Sequence, residues 1–167
     1  MESPTALVVS ASQPLNERLQ VKLADDCGWL PMGGFGEMVS VLAGLGRTPE
    51  LEFALFRRSD RPSLWAQVVG GSGRGYIVEV FQPGTESAFG ESGFVAGVRL
   101  NILGHTTVTS SMGRDYCGRP GQVMHGDDAA AAIRAWLTQA AAAPGQDLSP
   151  IERGGLPCSH PPRIDRA

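Results

Sequence analysis

Residues 64–81, LWAQVVGGSGRGYIVEVF, decide the fold. In residues 64–69 and 76–81, every second residue belongs to one set of side chains and the residues between belong to another. This period of two is typical of β-strands, whose successive side chains point to opposite faces. Glycine occupies four of the six positions 70–75, so the backbone between the runs can reverse direction. A phosphate-binding loop is the alternative for this segment, but it would need a following helix and a lysine, and a strand follows here. The segment therefore predicts an antiparallel β-hairpin.

Further strands are predicted on both sides of this hairpin. Before it, residues 51–56 alternate in the same way, and after a loop at 82–93 the alternation returns over residues 94–103. A hydroxyl-rich run at 106–111 favours one more strand, because β-branched residues suit an exposed strand face. The sequence thus predicts one antiparallel sheet of about five strands, connected as a meander.

Two short helices are predicted before the sheet. From Leu15 to Trp29, apolar residues recur at every fourth position with charged residues between them, which indicates an amphipathic helix. A second helix is predicted from Phe35 to Gly46, although Gly44 and Gly46 lower its helical propensity. The apolar stripe of the first helix consists of Leu15, Leu19, Leu23 and Cys27.

A third helix is predicted after the sheet. Asp127 or Asp128 can cap its start, and negative charge there also favours the helix dipole. Pro144 and Gly145 end it. We expect Trp136 to join this helix to the sheet, since it shares one face with the other large apolar residues of the segment. That face consists of Ile133, Trp136, Leu137 and Ala140.

These elements predict a single α+β domain at residues 15–143, with a weakly ordered arm at 1–14 and a disordered tail at 144–167. The domain would contain two short N-terminal helices, one antiparallel sheet of about five strands and one C-terminal helix packed on the sheet. The 22 glycines and 12 prolines among 167 residues agree with a chain rich in turns and exclude a long helical bundle.

Charge and hydropathy exclude several classes of function. The net charge is −3 and the sequence pI is about 5.6, so the chain has no overall positive field to attract nucleic acid. No run approaches the roughly 20 apolar residues that cross a bilayer, and the N-terminus lacks the pattern of a signal peptide. A soluble cytoplasmic protein is expected. Arginine far outnumbers lysine, which indicates a GC-rich bacterial genome.

The three cysteines, at positions 27, 117 and 158, form no C-x-x-C pair. An odd number without such a pair is typical of free thiols in a reducing cytoplasm. A zinc site is not predicted, because the close pair Cys158 and His160 lies in the predicted tail. No sequence motif predicts a cofactor.

A catalytic site is the less favoured interpretation. A thiolate nucleophile needs an imidazole within hydrogen-bond reach and an acid to orient that imidazole. The loops at 104–127 supply these residue types, so a small hydrolase or transferase is the alternative function. The candidates are Cys117, His105, Asp115 and His125.

A surface for another protein is the favoured interpretation. Trp29 lies in a glycine-rich junction, where an aromatic side chain either covers the core or contacts a partner. The hydroxyl-rich strand could add polar contacts, whereas Trp65 and Trp136 are expected to be core anchors. The candidate partner-binding residues are Trp29, Thr107, Thr109 and Ser111.

In outline, residues 50–140 resemble the small α+β immunity proteins that accompany bacterial polymorphic toxins. The strings that carry the resemblance are LWAQVVGG at 64–71, YIVEV at 76–80 and DAAAAIRAWL at 128–137. Secretion chaperones of similar size and acidity are the nearest alternative. The resemblance implies a protein that binds and neutralises a toxin or effector. The acidic charge, the lack of a long apolar run and the absence of cofactor motifs predict that it is non-enzymatic, has no cofactor and contacts neither nucleic acid nor membrane.

Overall fold

The computed structural model describes residues 18–23, 28–47, 51–71, 73–83, 91–98, 100, 104, 106–109 and 115–151. Within these ranges the chain forms nine strands and two helices. In chain order they are β1 (Leu19–Lys22), β2 (Leu30–Pro31), α1 (Phe35–Gly44), β3 (Phe53–Arg58), β4 (Arg61–Gly71), β5 (Gly75–Pro83), β6 (Glu91–Val98), β7 (Thr106–Thr109), β8 (Asp115–Gly118), α2 (Gly126–Gln139) and β9 (Gln146–Pro150).

Seven strands form one antiparallel sheet in the order β2-β1-β3-β4-β5-β6-β9, and β7 pairs with β8 in a separate two-stranded sheet. The predicted hairpin is present as β4 and β5, with Gly70 opposite Tyr76 and Gly71 opposite Gly75. Gly70 has a φ of 125°, and a Cβ there would overlap the carbonyl oxygen of Gly75. This turn therefore requires glycine.

Both helices pack on one face of the seven-stranded sheet. The residues that point toward them, such as Phe56, Val68 and Val80, are fully buried. Trp136 of α2 is also buried, and its indole Nε1 donates a hydrogen bond of 3.2 Å to the carbonyl oxygen of Phe81. Trp136 thus joins the terminal helix to the sheet, as the sequence predicts.

The predicted helix over residues 15–29 is wrong, because the middle of this segment forms strand β1 at Leu19–Lys22. A spacing of four residues is even, so it places side chains on one face of a strand as well as on one stripe of a helix. Val21 is off the helical stripe, but it is buried beside Leu19 in β1, opposite Phe56. Pairing with β3 therefore overrides the helical pattern.

The sequence prediction needs four further corrections. The main sheet has seven strands instead of about five, and residues 106–109 leave it to pair with β8 in a segment predicted to be irregular. Residues 146–150, predicted to be disordered, form β9 and pair with β6. The N-cap of α2 is His125, without a side-chain hydrogen bond, while Asp127 and Asp128 lie in the first turn.

The predicted arm at 1–14 and the tail beyond Ile151 lie outside the described residues. In the part of the chain that the structure describes, no helix combines the length and the apolar character needed to span a bilayer.

Candidate functional site

The candidate site lies on the face of the sheet opposite α1 and α2, which we call the helix-free face. Strand register places Arg57, Trp65 and Phe81 side by side on β3, β4 and β5. Trp29, just before β2, adds its ring to the end of this line at Arg57. We call these four residues, all half-buried, the aromatic row.

The aromatic row is held in place by contacts between its own members. The Arg57 guanidinium carbon lies 4.1 Å from the centroid of the Trp29 ring, a cation–π contact. Its Nε donates a hydrogen bond of 2.8 Å to Oε1 of Gln20 on β1. The Trp65 and Phe81 rings stack with centroids 4.0 Å apart and planes 10° apart. Burial lowers the pKa of Arg57 from its usual value.

β6 lies next to Phe81 and extends the apolar surface beyond the aromatic row. Gly93 lies opposite Phe81, and a Cβ at Gly93 would clash with both the Phe81 ring and the side chain of Ile151. The absence of a side chain at Gly93 therefore lets the Phe81 ring lie flat over the strand. Ile151 follows β9, so an apolar surface crosses the sheet from Trp29 to the far edge.

The other end of the helix-free face is covered by the β7–β8 hairpin. Val108 and Tyr116 of this hairpin are buried against Val69 and Ile77 of the sheet. The Tyr116 hydroxyl donates a hydrogen bond of 2.9 Å to Oε1 of Glu52, a buried side chain just before β3. The hairpin is thus fixed to the sheet by packing and by one buried polar contact.

A cavity of about 20 Å³ lies between the hairpin and the aromatic row, and we call it the Glu79 cavity. Burial raises the pKa of Glu79 from 4.5 to about 7. None of the described residues donates a hydrogen bond to this carboxyl group. The cavity is lined by Gln67, Val69, Ile77, Glu79, Tyr116 and Cys117.

A larger, open cleft of about 510 Å³ lies at the turn between β4 and β5, beside the start of α2. It brings Arg74 and His125 to one surface, next to Tyr76. The Tyr76 hydroxyl donates a hydrogen bond of 2.7 Å to the carbonyl oxygen of Leu42 in α1, and burial raises its pKa. The Tyr76 hydroxyl is therefore committed to holding α1 on the sheet.

The predicted catalytic residues are not brought together. Cys117 lines the Glu79 cavity, whereas His125 lines the separate cleft at the start of α2. Asp115 is exposed on β8, and His105 lies outside the described residues. Cys117 is disulfide-bonded, so it has no thiolate in this state. Its bond also contradicts the expectation of three free thiols, on which the argument for a reducing cytoplasm was based.

Of the predicted partner-binding residues, Trp29 belongs to the aromatic row. Thr107 is exposed on β7, and its Oγ1 lies 3.9 Å from Sγ of Cys117. Thr109 pairs with Asp115 at the end of the same hairpin, and Ser111 lies outside the described residues. These threonines lie on the hairpin, apart from the aromatic row.

The sequence interpretation missed Arg57, Phe81 and Glu79, and it placed Trp65 in the core beneath the terminal helix. Trp65 lies on the helix-free face instead. Alternation alone put Trp65, Gln67 and Val69 on one side of β4, but it did not say which side faces the helices. The polar residue Gln67 on that side was the sequence feature that indicates the face away from the helices.

In the ranges that the structure covers, no group of three or more His, Cys, Asp or Glu side chains could hold a metal ion. Among known proteins, no family model, curated protein or solved structure matches the chain.

Proposed function

We propose that the chain is a non-enzymatic protein-binding module and that the aromatic row is its contact surface. The observation that carries this proposal is the arrangement of Arg57, stacked on Trp29 and hydrogen-bonded to Gln20. Tryptophan and arginine are enriched among the residues that dominate protein–protein binding energy. Their combination on one rigid sheet favours a protein partner.

Preorganisation strengthens this interpretation. Binding normally costs about 0.5–1.5 kcal/mol for each flexible side chain that becomes ordered. Arg57 is already held by Trp29 and Gln20, and the Phe81 ring is already stacked on Trp65. These side chains therefore lose little freedom when a partner binds.

The chemistry of Arg57 also defines what the partner must present. Its Nε is used by Gln20, and no described residue accepts a hydrogen bond from either η nitrogen. A guanidinium edge with two such donors matches a carboxylate, which it binds in a bidentate manner. We therefore propose that the partner offers an aspartate or glutamate flanked by apolar side chains.

The resemblance to immunity proteins supports a toxin or effector as this partner. A hydrolase or transferase is not proposed, because no described observation places a nucleophile beside a base. The proposal requires no particular cellular compartment, since the argument for a reducing cytoplasm fails with the disulfide at Cys117.

Photo-crosslinking in the native cells tests the proposal. A photoreactive phenylalanine analogue replaces Trp29 in one variant and Phe81 in a second. The control carries it at Val39, which is 45% exposed on α1, on the opposite side of the sheet. We expect the first two variants to crosslink to the same protein and the Val39 variant not to. A common product from Val39, or no product from the aromatic row, would overturn the proposal.

A further inference from the structure

The Glu79 cavity lies beside the aromatic row on the helix-free face. Glu79 is two residues before Phe81 on β5, so both side chains point to this face, about 7 Å apart along the strand. Val69 and Ile77, which are buried against the β7–β8 hairpin, form the apolar part of the cavity wall. Glu79 is half-buried, so it keeps contact with solvent. Its carboxyl group is thus accessible from the surface that carries the aromatic row.

The polar groups that line the cavity do not satisfy the carboxyl group of Glu79. The Tyr116 hydroxyl donates to Glu52, and Cys117 has no S–H to donate because it is disulfide-bonded. Gln67 is directly opposite Glu79 on β4, yet within the described ranges neither it nor any other residue donates a hydrogen bond to this carboxyl group. A largely buried polar group without a partner is costly. A donor from another molecule would therefore stabilise Glu79.

The immediate neighbours of Glu79 also carry no charge. Gln67 of β4 and Val95 of β6 are directly opposite it in the sheet. Tyr116 and Cys117 line the cavity from the hairpin, and Tyr116 is the one titratable group among these four neighbours. Burial away from any cation raises the pKa of Glu79 to about 7. A cation in the cavity would favour the ionised carboxylate and lower this pKa again.

The volume of the cavity selects the kind of cation. About 20 Å³ holds one water-sized group, since a single water needs at least about 10–15 Å³. The ammonium of lysine is a compact group with three N–H donors, whereas the guanidinium of arginine is a wide planar fork. The hydrocarbon stem of a lysine can also lie along an apolar surface, which Phe81 provides beside Glu79. A primary ammonium thus fits the cavity, and a guanidinium does not.

We propose that the Glu79 cavity binds the ammonium of a lysine on the partner protein, with Glu79 as the carboxylate that accepts its N–H groups. This inference rests on the proposed function, because the partner that docks on the aromatic row lies next to the cavity. Arg57 and Glu79 are two strands and two residues apart, so their Cα atoms are separated by about 12 Å. The partner therefore presents an acidic residue to Arg57 and a lysine to Glu79 at a matching separation.

Occupation of the cavity is coupled to the release of a proton. A protonated Glu79 first gives its proton to the solvent, and the resulting carboxylate accepts hydrogen bonds from the ammonium. Since the pKa of Glu79 in the free protein is about 7, ammonium binding strengthens as the pH rises through about 7.

Carboxyl ¹³C NMR tests the cavity in the full chain without a partner. The Glu79 signal is identified by its loss in Glu79→Gln, and it is titrated in sodium, ethylammonium and ethylguanidinium chloride at equal ionic strength. We expect the pKa of Glu79 to be about 7 in the sodium salt and to fall toward its usual value in ethylammonium alone. Equal pKa values in sodium and ethylammonium, or equal falls in ethylammonium and ethylguanidinium, would overturn the proposal.

Once the partner is captured, the pH dependence of its Kd tests whether its lysine occupies the cavity. Between about pH 6 and about pH 8, wild-type binding should tighten about tenfold. Glu79→Gln should lose this gain and bind about tenfold more weakly at about pH 8. Glu37→Gln, which changes an exposed carboxylate on α1, is the matched control and should behave as the wild type does. A gain that persists in Glu79→Gln would refute the inference.

The NMR titration needs no partner, so it separates the two proposals. If ethylammonium lowers the pKa of Glu79 and photo-crosslinking fails, the proposed function is overturned. If crosslinking succeeds and ethylammonium acts as sodium does, the inference about the Glu79 cavity is overturned instead.

Discussion

Replacing Trp136 by alanine should destabilise the protein more than any change on the aromatic row. Trp136 is 2% exposed, packs with its ring 6.4 Å from that of Phe94, and donates a hydrogen bond to the carbonyl oxygen of Phe81. Truncation of a buried tryptophan costs about 3–5 kcal/mol, because apolar contacts are lost and a cavity remains. This is a large part of a total stability of about 5–15 kcal/mol.

Urea denaturation measures this loss as a lower midpoint with an unchanged slope. Trp136→Phe separates the two contributions: it keeps most of the packing and loses the indole N–H, which should cost about 1–3 kcal/mol. Trp29→Ala is the control, and it should cost about 1 kcal/mol, the size of a partly exposed cation–π contact. A Trp136→Ala midpoint equal to that of the wild type, or a larger loss in Trp29→Ala, would refute the reasoning.

The remaining predictions concern Glu79, the β4–β5 turn and Tyr76. The pKa of Glu79 is raised to about 7, so its contribution to stability is complete below about pH 4.5 and is lost as the pH rises through about 7. Thermal melts should therefore show a smaller decline between about pH 5 and about pH 8 for Glu79→Gln than for the wild type; equal declines would contradict this. Gly70→Ala should destabilise the fold well beyond the roughly 1–2 kcal/mol expected of Gly73→Ala, because a Cβ at Gly70 would overlap the backbone of Gly75 whereas a Cβ at Gly73 meets no atom within 4 Å; circular dichroism melts compare the two. Tyr76→Phe should cost about 1 kcal/mol in urea denaturation by removing the hydrogen bond to Leu42, and an unchanged midpoint would argue against that contact.

The central part of the fold could be predicted because its signals are local. The alternation on both sides of residues 70–75 locates β4 and β5, and the apolar face around Trp136 locates α2. Residues 19–22 could not be assigned in this way, because an even spacing of apolar residues fits a strand and a helix equally well. Only pairing with β3 distinguishes the two, and that contact is distant in sequence.

β8 and β9 were missed because their composition is poor in strand-forming residues. β8 has Tyr116 as its one large apolar residue, and β9 contains Asp147 and Pro150. Such residues are tolerated in short and edge strands, where few backbone groups must be paired and less apolar surface is buried. Long-range pairing therefore sets these strands, and a local pattern does not reveal it.

The candidate site depends on strand register, which explains why the sequence predicted so little of it. Trp29 was identified from its glycine-rich surroundings, but its contact with Arg57 requires β2, β1 and β3 to be adjacent. The stacking of Trp65 on Phe81 likewise requires them to be directly opposite across the hairpin. A one-residue shift of β5 would turn the Phe81 ring to the helical side and leave Trp65 without its stacking partner.

The most direct measurement of the central claim is the affinity of the crosslinked partner for Arg57→Lys compared with the wild type. Lysine keeps the positive charge but cannot stack flat on Trp29 or present two parallel donors to a carboxylate. We expect Kd to rise about tenfold or more, equivalent to about 1.4 kcal/mol. Arg134→Lys, which alters the cation–π contact with Phe35 on the helical side of the sheet, should leave Kd unchanged. An Arg57→Lys variant that binds as tightly as the wild type would contradict a protein-binding function centred on the aromatic row.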